Sequence, residues 1–293
     1  IVFTACIFLA FKSFKVFKMD TLHAIIVNYF TCVIAGVIFL HDELHLLKDL
    51  SASTEWLPFA LILGSLFIYT FFRMSRTAQE ISVASSSMAS KLALIFPVLF
   101  SIIIIQRSSK DYDWINYLGM ALTIPALILA SWPDKNISAE KIKKHLSLPL
   151  SVFILSGIID TSLNYSNANF ESSSSIKFLP HFIFLVAAII GMAYVLLFSK
   201  NAKPIQLKSI IGGMYLGIPN FFSLFFLLEA LREFNQDGSF IFPFVNLGTI
   251  LISAIGAFFL FKESLNKTQI IGLILSILAL FFLAWQEFYD FLY

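Results

Sequence analysis

The 293-residue chain is 58% hydrophobic and only 13% charged, with a formal net charge of +2 and a mean hydropathy of +0.85. Soluble domains carry about 25% charged residues, so a soluble globular protein of this size is excluded. The near-neutral charge gives no basis for nucleic-acid binding. Cys6 and Cys32 lie in apolar stretches without metal-ligand spacing and read as packing residues.

Apolar runs of membrane length predict ten spans, at 1–17, 21–40, 55–75, 81–105, 114–131, 147–166, 177–198, 208–231, 238–261 and 267–286. The first reads as a membrane helix rather than a cleavable signal peptide. The second carries Asn28 and Tyr29. The loop after it contains His41-Asp42-Glu43-Leu44-His45, which has metal-like residue types but not the helical H-E-x-x-H order, and reads as a solvated loop. Arg73 and Arg76 at the end of the third span read as interfacial anchors.

The fourth span, ISVASSSMASKLALIFPVLFSIIII, is the one the others are expected to surround. Its 25 residues extend about 37 Å, enough to cross a hydrocarbon core of about 30 Å. Lys91 sits near its middle, where a charge costs at least about 2.5–3.5 kcal/mol and is expected to face a cavity or a partner. Ser85, Ser86, Ser87 and Ser90 supply small polar surface for close helix packing. An ammonium there attracts a carboxylate, phosphate or sulfate, or joins proton coupling.

A polar linker at 132–146 separates the fifth span from the sixth and divides the chain into halves 1–131 and 147–293. The sixth span holds Asp160, with Asn164 on the same helix face and Tyr165 beside it. Asp160 reads either as a counter-ion or proton carrier for Lys91 or as a solvated residue near a helix end. His181 stands in the seventh span. Pro219 disrupts the eighth beside Asn220, and Pro243 the ninth three residues before Asn246. Asn28, Asn164, Tyr165, His181, Asn220 and Asn246 join Lys91 as candidate substrate-binding residues. Glu229, Arg232 and Glu233 read as a surface ion-pair cluster.

The halves match at an offset of 153: Leu63-Gly64 with Leu216-Gly217, Phe72 with Phe225, Gly119 with Gly272, Ala126 with Ala279. At that offset His181 aligns with Asn28. Five spans per half is an odd number, so the second half enters from the opposite side, the inverted-repeat plan of many secondary transporters.

The stretch from Gly238 to Leu283 resembles the drug/metabolite transporter superfamily, specifically its EamA-like ten-helix branch. The likeness lies in a small-residue helix start, mid-helix Pro243, an "LGE"-like end at Phe261-Lys262-Glu263, and Gln269 to Gly272. The first half carries a looser copy in Ser82 to Ser85, Pro97 and Asn116 to Gly119, and departs from it with Gln106-Arg107 to Lys110 where the family has an acidic residue. The resemblance implies two inverted five-helix repeats, both termini cytoplasmic, in a bacterial inner membrane. Loop charge disagrees, because the basic residues concentrate with Lys12, Lys15 and Lys18 on the side opposite the termini, while the termini's own side holds only Lys48, Arg107, Lys110, Lys177 and Arg232.

The expected protein is all-α, and moves a small polar metabolite, an amino acid or related organic anion, outward by alternating access. Asp160 and Lys91 are the coupling candidates, and the chain acts as a monomer or homodimer in the lipid bilayer. No nucleotide-binding motif, catalytic group, cofactor or metal site is expected. The alternative is an integral-membrane enzyme acting on a lipid-linked substrate.

Overall fold

The computed structural model describes residues 1–39, 56–100, 113–132, 139–170, 178–198, 205–233 and 238–292. Among them the chain forms helices and no strands: α1 (Val2–Val16), α2 (Thr21–Phe39), α3 (Leu57–Glu80), α4 (Val83–Leu92), α5 (Ile95–Phe100), α6 (Trp114–Ala130), α7 (Ala139–Phe170), α8 (Leu179–Phe198), α9 (Leu207–Glu233), α10 (Gly238–Phe261), α11 (Lys267–Leu283) and α12 (Trp285–Leu292). Seven stretches are long and apolar enough to cross a membrane, in α2, α3, α4–α5 together, α7, α8, α9 and α10. The apolar helices α6 and α11 are shorter, at 17 residues each. The chain is an all-helical, multi-pass membrane protein. The His41–His45 loop and the Gln106–Lys110 segment lie outside the described residues.

Three elements differ from expectation. The fourth span is broken into α4 and α5. Pro97 has no N–H for the Ala93 carbonyl and its ring crowds that residue. The Phe96 amide takes the Ala93 carbonyl instead, at 3.0 Å, and the chain turns at Ala93-Leu94. The linker at 132–146 is helical from Ala139 onward and runs straight into α7, because Ala-Glu-Lys-Ile-Lys-Lys is built of strong helix formers. The last span stops at Leu283 and restarts as α12 after Ala284.

Packing follows a reciprocal plan. The most extensive interface joins α6 to α11, followed by α2 on α9, α3 on α8, α3 on α7 and α1 on α9. Exchanging each helix for the one about 153 positions away turns α2–α9 into α8–α3 and α1–α9 into α7–α3. The α6–α11 contact repeats the plan atom by atom. Asp113 and Asn266 cap the two helices in capping boxes closed by Asn116 and Gln269. The Asn116 amide then donates across to the Leu283 carbonyl at 2.9 Å, while that of Gln269 donates to the Trp132 carbonyl at 3.1 Å. Each cap therefore also satisfies carbonyls that the facing helix end leaves open.

Glycine permits the close approach. A Cβ on Gly119 would meet the backbone of Leu283 and Ala279, and one on Gly272 would fall on the backbone of Ala130. Between α2 and α8 the correspondence is shifted by two residues. Gly36 lies against His181 and Gly191 against Ile26, so the counterpart of His181 by contact is Ile26, not Asn28.

Gly272→Leu is expected to destabilise the protein by at least about 1–3 kcal/mol, the usual cost of overpacking, because the obstacle is backbone. Gly256→Ala, which meets only the Leu9 side chain, is expected to cost less. Thermal unfolding in one detergent checks the order.

Candidate functional site

The site is built around α4, a short helix of small and polar residues in an apolar bundle. Ser82 caps it, accepting the Ser85 amide at 2.8 Å. The next hydroxyls each find a different neighbour. Ser85 meets the Ser131 hydroxyl beyond α6 at 2.6 Å, and Ser86 donates to the Met74 carbonyl of α3 at 2.8 Å. Ser253 of α10 donates to Ser87 at 2.8 Å, and Ser156 of α7 to Ser90 at 3.4 Å. Ser85, Ser86 and Ser87 are fully buried. Without water at that depth, a buried hydroxyl needs such a partner.

At the N-terminal end, Glu263 reaches over from the turn after α10. Its Oε1 accepts the Val83 amide at 2.9 Å, and its Oε2 pairs with Lys12 of α1 at 3.4 Å. Lys262, with φ 51°, turns the chain so that this carboxylate faces α4. Burial raises the Glu263 carboxyl above the ordinary glutamate range, and Lys12 and the Val83 amide offset part of that rise.

At the C-terminal end lies Lys91, in the last turn of α4 before the break. Its carbonyl accepts the Leu94 amide at 3.4 Å within the turn and the Asn246 side-chain amide of α10 at 3.3 Å. Asp160 stands on α7, which packs against α4, and the ammonium and its carboxylate form no ion pair like that of Lys12 and Glu263. Both side chains are half-buried. Ser156, whose hydroxyl meets Ser90, precedes Asp160 by one turn and shares its helix face. A cavity of about 380 Å³ opens between α5 and α7, lined by Phe96, Leu99, Phe100, Gly157, Ile158, Thr161 and Ser162; neither Lys91 nor Asp160 lines it. Tyr165 lies a turn beyond Asp160, its ring stacked on Phe59 and edge-on to Phe100. Asn164 falls on α7, and its side chain lies outside the described positions.

The remaining candidates belong to a second place, where α2, α8 and α9 pack. Asn220 donates to the Asn28 Oδ1 at 3.1 Å and contacts the Cys32 sulfur at 3.5 Å. Cys32 in turn donates to the Gly217 carbonyl at 3.4 Å. Asn28 and Cys32 are fully buried and Asn220 is 5% exposed. This closed network bonds α2 to α9. The His181 ring sits against Gly36 and packs edge-on with Phe178 and Phe221. The predicted residues thus divide: Lys91, Asp160 and Asn246 come together, while Asn28, Asn220 and His181 assemble elsewhere. Glu263, Ser156 and Ser253 escaped the sequence reading as parts of this arrangement.

No family model matches the chain. It is 29% identical over 267 residues to an uncharacterized protein of Haemophilus influenzae, an alignment covering 90% of this chain and 88% of that one. It is 21% identical over 266 residues to the S-adenosylmethionine uptake transporter of Rickettsia prowazekii, covering 91% and 84%. The protein of the same name from Rickettsia felis is 20% identical over the same length. Transporter-named relatives and seven membrane-length apolar stretches together support a membrane transporter of a small metabolite rather than an enzyme.

If the Asn28–Asn220 network is structural, Asn220→Ala costs about 1–3 kcal/mol by leaving Asn28 buried and unpaired, whereas Asn28→Leu with Asn220→Leu comes closer to wild type. A double-mutant cycle on thermal unfolding measures the difference.

Proposed function

We propose that the chain is a secondary-active transporter of a metabolite bearing an amino-acid head group, with Lys91 holding its carboxylate and Asp160 its ammonium. The observation that carries this reading is the Lys91–Asp160 pair itself. Two opposite charges sit half-buried on packed helices, Lys91 in the last turn of α4 before the break and Asp160 on α7, without a direct ion pair. Buried charges in a membrane protein are costly, and they are kept where a cavity or substrate completes them. A zwitterionic head group placed between the two satisfies both at once. Asn246 fixes the end of α4 and so the direction of Lys91. Tyr165, one turn beyond Asp160 against Phe59 and Phe100, and Asn164 complete the proposed substrate-binding residues. Asn28, Asn220 and His181 are assigned to packing.

The architecture in this reading is ten crossings in two inverted five-helix repeats, residues 1–131 and 147–293, each with an EamA-like fold. The two short helices α6 and α11 serve as crossings beside α1. The reciprocal packing and the matching caps at Asp113 and Asn266 support it. Transport runs by alternating access, with one bundle rocking against the other around the site. The sequence favoured export of an amino acid or organic anion. The names of the rickettsial relatives favour uptake, and S-adenosylmethionine, which carries an amino-acid head group, heads the substrates to test. The membrane is a bacterial cytoplasmic membrane.

The test is flux into proteoliposomes of S-adenosylmethionine, free amino acids, organic acids lacking an amino group, and amines lacking a carboxylate. Wild type is expected to carry one or more of the zwitterions and neither of the one-charge classes. Lys91→Met and Asp160→Asn are each expected to abolish that flux in protein that elutes as wild type on gel filtration. Equal flux in wild type and both variants overturns the assignment of the pair.

A further inference from the structure

The reciprocal plan of the helices is broken at one place. Besides α9, α1 packs on α3, α4 and α10. The counterpart of α1 is α7, and full symmetry would bring α7 onto α9, α10 and α4. Among the described residues α7 packs on α3, α4 and α5, with no comparable packing on α9 or α10. The end near Lys12 is drawn together by the contacts of α1.

What holds the closed end is a compact set of polar contacts. Glu263 of the second half accepts the Val83 amide at the start of α4 and pairs with Lys12 of α1, both in the first half. The two side chains are only 11% and 18% exposed. Beside them, Lys15 donates to the Gln79 carbonyl at 2.8 Å, and the Gln79 amide donates to the Phe11 carbonyl at 3.1 Å and to Thr21 at 3.0 Å. These neighbouring bonds stay within the first half. Glu263 crosses from one half to the other, as does the Ser209 hydroxyl, which accepts the Asp20 amide at 2.9 Å.

We propose that Glu263, clamped between Lys12 and the N-terminus of α4, is the gate that closes this end of the transport path. Opening the path on this side requires the carboxylate to leave both partners together, so α10 separates from α1 and α4 as a unit. The gate lies eight residues before Lys91 on the same helix, about 12 Å along its axis. Movement at the α4 N-terminus is thereby transmitted along a rigid helix to the position of the Lys91 ammonium. This inference rests on the transporter reading, and its first test does not depend on any substrate.

The test is a distance measurement in lipid nanodiscs. Spin labels are placed at Val16→Cys and Ser264→Cys, exposed positions on the two sides of the clamp, in a background carrying Cys6→Ala and Cys32→Ser. Electron–electron double resonance is expected to give one short distance. Glu263→Gln, which weakens the ion pair and the capping of Val83, is expected to add a longer population, and Lys12→Met to do so as well. An unchanged distance distribution in both variants overturns the gate. Because a variant can simply misfold, a second experiment keeps the native-like resting state. Lys12→Cys with Glu263→Cys is joined by a reducible bifunctional thiol reagent and assayed for flux of whichever solute the wild type carries. Transport is expected to be lost on cross-linking and regained on reduction, and transport that persists through complete cross-linking overturns the gate. If no solute moves with wild type while the distances respond as expected, the transporter reading fails and the mobile clamp stands.

Discussion

The structure depends on the need to satisfy the hydroxyl groups of α4 inside an apolar bundle. Hydrophobic attraction does little to join one helix to another in lipid, since the acyl chains are as apolar as leucine. An unpaired buried hydroxyl costs about 1–3 kcal/mol. Ser85, Ser86, Ser87 and Ser90 each meet this demand with a group on another element, namely Ser131, the Met74 carbonyl, Ser253 and Ser156. Four short bonds thus arrange α3, the end of α6, α7 and α10 around one helix. Small side chains are needed for this, because only serine brings a donor so close to the neighbouring backbone.

The same helix places the charged groups. α4 ends at Leu92, one residue past Lys91, and Asn246 from the other half bonds the Lys91 carbonyl there. Glu263 performs the equivalent service at the opposite end. Both ends of α4 are therefore held by side chains from α10 or the turn after it. A shift of α10 relative to α1 and α7 would release both, which is why a helix only ten residues long can link an end of the bundle to its middle.

Much of this was legible in the sequence. The apolar runs gave the helices with their ends close to the observed ones, and the run of serines with a lysine marked α4 as the polar centre. Gly64, Gly119, Gly217 and Gly272 stood out in the sequence, and each lies at a close helix approach where an added Cβ would meet backbone. The helix break was less visible, since a proline at that position kinks a helix or stops it depending on neighbours the sequence does not identify. The contact between Asn28 and Asn220 was not legible, because it depends on the pairing of α2 with α9, which neither residue's own surroundings in the sequence reveal. The polar linker misled because charged residues mark the membrane surface equally well as loop or as helix. The matching caps at Asp113 and Asn266, and the tryptophans Trp132 and Trp285 that follow each short helix, were present in the sequence at the offset of 153. They are dissimilar enough in residue type, or far enough into polar stretches, to be overlooked beside the glycines.

The most direct measurement of the central claim is equilibrium binding to a charge-swapped protein, Lys91→Asp with Asp160→Lys. Exchanging the two charges preserves their mutual attraction while reversing which helix offers which sign. Calorimetric titration with S-adenosylmethionine and free amino acids is compared with wild type, alongside thermal unfolding of both. If the pair reads a zwitterionic substrate, the swapped protein unfolds near the wild-type temperature and binds none of the solutes that wild type binds. Binding retained at wild-type strength by the swapped protein would mean that the two charges serve only each other, and would contradict the account.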